Sequence, residues 1–316
     1  MREVFSNALN AWRANLPFAL ATLVARQDAA AAEIGTSMAV SIDGGIDGDV
    51  GAGCYESDIV EAARLTAVDG ISRLLQIDLS GDDLISGGTG CGGRLEVVTW
   101  RPVLGFDKFA RSACAGVVDS EIDISYERDR IAQTFRLCVV RRRVCVIVGA
   151  TVLANEIAAF LQRLDVRTIV VDPRAAFATA ERLQAVDEIL VKWPDDVLPR
   201  LLDDKTPLLV VSHDPKIDLP ALRCGLRSRA PYVGLLGSRR AQRSRRDALL
   251  ADGFEADEVE RIQGPAGLDL GGVTVPETAL SIVAEVVAKS RGGSGTPLSA
   301  TERPIHRRDD RMGALV

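Results

Sequence analysis

Residues 144–172 read VCVIVGATVLANEIAAFLQRLDVRTIVVD. The opening run, Val144–Val148, is continuously apolar, as suits a parallel strand buried on both faces. It meets Gly149-Ala150-Thr151-Val152-Leu153-Ala154, passes into a helical pattern over 155–164, and returns as a second apolar run over 168–171 that ends in Asp172. Strand, glycine turn, helix and a strand closing on an acid form the frame of a Rossmann βαβ unit. Asp172 falls 23 positions after Gly149, where an acid would hold a ribose hydroxyl; it also reads as a strand-end residue that opens a turn with Pro173. The fingerprint G-x-G-x-x-G/A needs a glycine where Thr151 stands. That glycine lets the backbone approach a pyrophosphate, so a side chain there argues against ordinary dinucleotide binding. The first glycine and the final alanine survive, so the fold reading stands while NAD(P) is not expected as cofactor.

Working outward toward the C-terminus, strands and helices alternate. A helix is expected over 175–184, a strand over 188–191, a strand over 208–212, a helix over 219–226, a strand over 232–236, a helix over 240–252, and a last helix over 279–289 after Pro276. This pattern predicts a doubly wound parallel sheet spanning 143–290. Residues 291–316 carry Gly, Ser, Pro and mixed charge without periodicity and read as a disordered tail. Upstream, residues 119–142 are rich in charge, run into Arg141-Arg142-Arg143, and read as a connecting segment or a strand–linker. Residues 1–118 mix an amphipathic helix over 4–15, strands over 18–25, 38–42, 74–79 and 95–100, and a helix over 56–68. They predict a mixed α+β domain, so the fold class is α/β with an α+β domain followed by a Rossmann-like one.

Bulk composition excludes several classes. Of 316 residues, 47% are hydrophobic and 26% charged, as in an ordinary globular protein, and the net charge is −6. Aromatics make up 4%, which leaves little for base stacking, so neither nucleic acid nor an anionic membrane is an expected partner. Asn10, Arg13, Asn15 and Pro17 interrupt any apolar core near the start, and no stretch reaches the length of a membrane span. The chain is expected in the cytoplasm. Six scattered cysteines without a CxxC pair, and two histidines (His213 and His306), do not supply a closed zinc site. In a reducing cytosol they are free thiols.

Four loops carry candidate chemistry. Gly48-Asp49-Val50-Gly51-Ala52-Gly53-Cys54 runs straight into the helix that starts near Glu56. A helix N-terminus favours thiolate, and Gly51 and Gly53 clear side-chain bulk for a ligand, so Cys54 could meet a soft metal centre; it equally fits a buried cysteine at a tight turn. Cys91, in Gly88-Thr89-Gly90-Cys91-Gly92-Gly93, has a similar neighbourhood but leads into a strand. Gly237-Ser238-Arg239-Arg240 ends a strand and opens a helix, which suits a phosphate, or a plain N-cap with solvated arginines. Ser212-His213-Asp214 follows another strand at the edge where open α/β sheets bind ligands. Three consecutive residues cannot converge as nucleophile, base and orienter, so a ligand contact or a loop cap is expected there instead of a hydrolase triad. The glycine-rich loop 264–272, which contains Asp269, is expected to close over the same edge.

Taken in order, these motifs resemble the XdhC/CoxI family, accessory proteins for xanthine dehydrogenase and related molybdenum hydroxylases. The resemblance rests on Gly35-Thr36-Ser37-Met38, Asp43-Gly44, Gly51-Ala52-Gly53-Cys54-Tyr55-Glu56 and Gly90-Cys91-Gly92-Gly93 in the first half. In the second half it rests on Val171-Asp172-Pro173-Arg174, Ser212-His213-Asp214, the run from Tyr232 to Arg240, Pro265-Ala266-Gly267-Leu268-Asp269, Pro276-Glu277 and Ser281–Glu285. Two positions depart from the family pattern. Ala52 replaces a glycine of the cysteine loop, which would be costly if the backbone there needed a positive φ. Thr151 and Val152 replace the Gly-His of a loop that usually reads G-A-G-H-V-A.

The resemblance implies transient binding of molybdenum cofactor (a molybdopterin), support of its sulfuration by a cysteine desulfurase, and delivery to an apo molybdenum hydroxylase. It implies a maturation chaperone, more than an enzyme, and a homo-oligomer is expected. The candidate ligand-binding residues are Gly51, Gly53, Cys54, Glu56, Cys91, Gly149, Asp172, His213, Asp214, Gly237, Ser238, Arg239, Arg240 and Asp269, with Cys54 at the metal. The competing readings are an NAD(P)-dependent oxidoreductase, suggested by fold alone, and a docking protein that has lost its ligand.

Overall fold

The computed structural model describes residues 1–28, 33–78 and 93–301. The chain divides into two compact units, Met1–Arg142 and Arg143–Val316.

In the first unit, α1 (Arg2–Arg13) leads to β1 (Phe18–Asp28), β2 (Ser37–Ser41) and β3 (Ile46–Asp47), then α2 (Glu56–Asp69), β4 (Arg73–Asp78), β5 (Gly93–Trp100) and α3 (Phe106–Ala115). The strands form an antiparallel sheet in the order β3-β2-β1-β5-β4. Side chains alternate across β1: Phe18, Leu20 and Val24 join a core with α1 and α3, whereas Ala19, Ala21 and Leu23 face α2. Phe106 anchors the first of these cores with Trp12, Phe18, Trp100 and Phe109 around it at 5.7 to 6.3 Å between ring centroids. A buried polar chain crosses the sheet. Trp100 Nε1 donates to Thr22 Oγ1 (2.9 Å), that hydroxyl lies 2.9 Å from Ser37 Oγ, and Ser37 donates to the carbonyl of Gly35 (3.0 Å). The run Gly35–Met38 thus has a structural role.

Residues 119–142 are not a connecting segment. They hold a hairpin, β6 (Ser120–Arg128) and β7 (Ile131–Val139), whose Ile124 and Leu137 are fully buried in the core with α1 and α3. Its two-residue turn is Asp129-Arg130, with φ of 50° and 65°, so the hairpin lacks the Asn-Gly signature of such turns. Its outward face carries Glu121, Asp123 and Arg136, which alternate with Ile122, Ile124 and Leu137.

The second unit runs β8 (Arg143–Val148), α4 (Val152–Arg163), β9 (Val166–Val171), β10 (Glu188–Leu190), α5 (Pro194–Leu201), β11 (Leu208–Val210), α6 (Pro215–Arg227), β12 (Val233–Leu235), α7 (Arg239–Ala251), α8 (Ala256–Glu260), β13 (Ile262–Gln263) and α9 (Val275–Arg291). All pairings are parallel, in the order β10-β9-β8-β11-β12-β13. Val146 and Val148 point to a core shared with α5, α6, α7 and α8; Cys145 and Ile147 point to one shared with α4 and α9. Two such cores define a doubly wound sheet.

One expectation fails here, and one helix appears that was not expected. No helix forms over 175–184; single turns close on Arg174 and Thr179 instead. Ala178 and Leu183, five residues apart, are both buried, a spacing that one helix face does not supply. Helix α5, which holds Pro199 in its interior, was not anticipated. Helix α9 ends at Arg291 with Gly292 in the left-handed conformation, and a short turn at Leu298–Ala300 follows. The tail expectation beyond residue 301 lies outside the described residues. Among the described residues no helix is long and apolar enough to cross a membrane.

Candidate functional site

In the second unit the loops after β8, β9, β11, β12 and β13 all leave the carboxyl edge of the parallel sheet. Helices α4, α6 and α7 begin after only three or four intervening residues, so their N-termini lie at the same edge. The strand order reverses between β8 and β11, the switch point where open α/β sheets form their crevice. Of the expected residues, Gly149, Asp172, His213, Asp214, Gly237, Ser238, Arg239, Arg240 and Asp269 all fall on these loops or helix starts. Gly149 sits at the switch point with φ of 115°, and a Cβ there would come within 2.6 Å of the Ser212 backbone. The loops after β8 and β11 are therefore in contact.

Asp172 is fully buried, and its carboxylate is occupied from within the loops. Oδ2 accepts from Ala150 N and Arg174 Nη2, both at 2.7 Å; Oδ1 accepts from Arg174 N and Nε, both at 2.9 Å. Burial is the largest single influence on this carboxyl and pushes its pKa up, but the Arg174 and Ala150 hydrogen bonds together hold it below the ordinary 3.8. Thr151 is the N-cap of α4, and its hydroxyl accepts from Ala154 N at 3.1 Å. Both oxygens of Asp172 are thus met by donors from its own loops, as the reading of it as a strand-end turn residue also allows.

The Ser212-His213-Asp214 loop is built on a buried network. Ser212 Oγ donates to Asp218 Oδ1 (2.6 Å) and accepts from Asp214 N (3.1 Å). Arg245 of α7 reaches Asp218 Oδ2 through Nη2 (2.8 Å) and Nε (3.2 Å), and donates to the His213 carbonyl at 3.3 Å. Asp214 caps α6 by accepting from Lys216 N. The result holds His213 exposed in the left-handed conformation, with φ of 62°. An ordinary L residue held there stores strain that the surrounding bonds must sustain.

Helix α7 opens with Ser238 as N-cap, its hydroxyl accepting from Ala241 N at 3.3 Å. Buried Gln242 ties this first turn to the end of β12 by donating to the Leu235 carbonyl at 2.8 Å. Arg239, Arg240 and Arg243 are exposed and pair with no carboxylate among the described residues. Asp269 is exposed on the loop after β13. That loop is tied down at Gly267, whose N–H donates to Glu285 Oε2 (2.8 Å), the same oxygen that takes the Tyr232 hydroxyl at 2.5 Å. Burial, then Glu285, drives the Tyr232 phenol far above its ordinary value. Leu268 is held to Ser281 of α9 through both its backbone groups.

In the first unit, Gly51 and Gly53 adopt φ of 71° and 59°, whereas Ala52 between them has φ of −88° and is buried. The alanine that departs from the family pattern occupies a conformation open to any residue. Cys54 lies in a short 3₁₀ turn, Gly53–Tyr55, directly before α2, and Glu56 is the first residue of that helix. Glu56 and Asp58 in the first helical turn set negative charge against the helix dipole there. The side chain of Cys54, and hence its expected metal contact, lies outside the described parts, as does Cys91. Among the described residues no group of three or more His, Cys, Asp and Glu side chains is placed to hold a metal.

Two open cavities lie elsewhere, at the opposite, amino edge of the second sheet. One of about 230 Å³ is lined by Tyr232, Arg261 and Lys289, and one of about 370 Å³ by Asp203, Asp204 and Arg227. Neither contains an expected site residue. Sequence reasoning missed Arg174 as the partner of Asp172, although it stands only two positions on. It also missed Asp218, Arg245 and Gln242, which act across 27 residues or on backbone atoms and leave no local pattern.

A doubly wound unit preceded by an antiparallel α+β unit, with glycine loops before α2 and at the carboxyl edge, defines the class. The description "XdhC and CoxI family" matches residues 11–78, and "XdhC Rossmann domain" matches residues 145–286. The chain belongs to the XdhC/CoxI family, which is linked to xanthine dehydrogenase maturation. It is 22% identical over 303 residues to the uncharacterized protein YqeB of Escherichia coli, covering 96% of this chain and 49% of that one. The chain thus spans about half the length of that relative. A crystal structure of a Bacillus halodurans protein described as a xanthine dehydrogenase matches with a TM-score of 0.71 at 21% identity, covering 94% of this chain and 98% of that one. That likeness bears on the fold.

Proposed function

We propose that the chain is an accessory chaperone that binds molybdenum cofactor as cargo, supports its sulfuration by a cysteine desulfurase, and passes it to an apo hydroxylase of the xanthine dehydrogenase or CO dehydrogenase type in the cytoplasm. The observation that carries this reading is family membership across both units together with an intact cysteine loop. Gly51 and Gly53 keep the left-handed turns on either side of a buried, unstrained Ala52, so the substitution leaves the backbone before Cys54 and α2 as glycines would.

The residues present fit such a cargo. The start of α7 offers the Ser238 cap and the guanidiniums of Arg239, Arg240 and Arg243, none paired with a carboxylate among the described residues, and a phosphate matches that donor set. A thiol at position 54 is of the soft donor type that suits a molybdenum–dithiolene centre. When bound, the cofactor would supply the metal and sulfur chemistry that the client enzyme uses. Gln242 holds the α7 turn against β12, and the Arg245–Asp218–Ser212 network holds His213 and Asp214 at the same edge. Asp172 is not assigned a ligand role, because its oxygens are already occupied.

The test is anaerobic titration of the full chain with molybdenum cofactor, comparing wild type with Cys54→Ser and Arg239→Ala. Saturable binding, weakened about tenfold or more by at least one of the two substitutions, is expected. Binding that neither substitution alters would retain the function and reject these contacts. Absence of saturable binding would refute the proposal.

A further inference from the structure

We propose that the Asp172–Arg174 pair is a latch that closes the ribose position of this Rossmann unit, so that the domain excludes the adenine dinucleotides its fold would otherwise accept. The argument begins with valence. A carboxylate offers about four acceptor sites, and here two donors reach each oxygen of Asp172. A ribose diol approaching the end of β9 would have to displace a bidentate guanidinium from a carboxylate with no exposed surface. Arg174 is also steadied from its other side. Its guanidinium carbon lies 4.8 Å from the centroid of the Phe177 ring, and Arg182 stands 5.4 Å from the same ring.

The phosphate end of the crevice is closed by the same economy of donors. The amide of Ala150, in the glycine turn, is committed to Asp172, and the amide of Ala154 is committed to the Thr151 hydroxyl. In a dinucleotide-binding unit a glycine at position 151 would leave room for the pyrophosphate; here a branched side chain occupies it as a cap. Two separate features thus oppose the same ligand: the Thr151 cap at the turn, and the latch, which acts on ribose. The inference stands whether or not the chain carries molybdopterin, and no molybdenum compound enters its test.

The experiment is calorimetric titration of the full chain with ADP-ribose and NAD⁺. Wild type is expected to show no saturable binding up to about 1 mM. Arg174→Ala combined with Thr151→Gly frees the carboxylate and the turn, and is expected to bind ADP-ribose at least about tenfold more tightly than wild type. Arg174→Lys keeps a cation beside Asp172 while losing the fork, and is expected to give a smaller gain; it serves if the double variant does not fold, as judged by circular dichroism. Micromolar binding by wild type that is lost in Asp172→Asn would overturn the latch, because the carboxylate would then be serving a ribose. Folded variants that bind no better than wild type would overturn it as well.

Discussion

Arg245 and Asp218 are separated by 27 positions and meet almost out of reach of water, with side chains 11% and 1% exposed. The carboxylate also takes the Ser212 hydroxyl, and the guanidinium takes the His213 carbonyl, so a single ion pair supports a strained turn on both sides. Removing the cation leaves Asp218 charged and buried. Arg245→Ala is therefore expected to lower stability by about 3–5 kcal/mol in urea titration, and a loss under about 1 kcal/mol would mean that water replaces the guanidinium. Asp172 gives a pH signature. Its pKa in the folded chain lies below the ordinary 3.8, so its contribution is complete above that value and is lost as pH falls below it. Asp172→Asn should cost about 1–3 kcal/mol at neutral pH and flatten the acid limb of stability against pH; an unchanged acid limb would show that other carboxylates govern it. At this scale the sequence was readable wherever a residue acts through its own backbone neighbourhood. Ser238 and Asp214 as helix caps are of this kind. Arg174 leaves no such signal, because whether an acid faces a ligand or a neighbouring arginine depends on three-dimensional direction, not on spacing.

Elements were legible where one period held over enough residues. The glycine turn between β8 and α4 and the alternation that follows carried the doubly wound sheet, since a strand buried on both faces has little freedom to be anything else. The hairpin β6–β7 alternates apolar Ile122, Ile124 and Tyr126 with polar Glu121, Asp123 and Ser125, which is a legible strand period, but its turn of Asp129 and Arg130, where glycine is usual, gives no hairpin signal. Its burial gives it weight. Leu137→Ala should cost about 2–5 kcal/mol, because the side chain is wholly enclosed in the core with α1 and α3. A change within about 0.5 kcal/mol, as at an exposed position, would show that the hairpin does not pack in solution. The stretch 175–184 misled in the opposite way, since its composition suits a helix but its two buried residues need different directions. Local propensity lost to tertiary placement there.

Across the whole molecule, the net charge of −6 and the arginine-rich first turns of α7 make different statements. The cationic patch is local and small, of a size for one or two phosphates, while the chain as a whole repels a polyanion. Fluorescence anisotropy with a duplex DNA at about 0.15 M salt should show no saturable binding, and salt-dependent binding would assign the patch to nucleic acid instead. Thiol chemistry divides along the same lines of depth. Cys145, in the centre of β8, has its pKa pushed up to about 12 by burial and should resist alkylation in the native chain, whereas exposed Cys138, its thiol also pushed up by partial burial and then by Glu121, should react, but more slowly than a free thiol. The loop after β13 holds one more consequence. A run of glycines at the rim of a sheet would ordinarily let its amide protons trade with solvent at nearly the rate of an unfolded peptide. Gly267, however, gives its proton to a carboxylate that Tyr232 shares from beneath, and Leu268 is fastened on both sides to α9. These amides should be released to deuterium only when the strand and helix under them come apart, on the clock of the core and not of the surface.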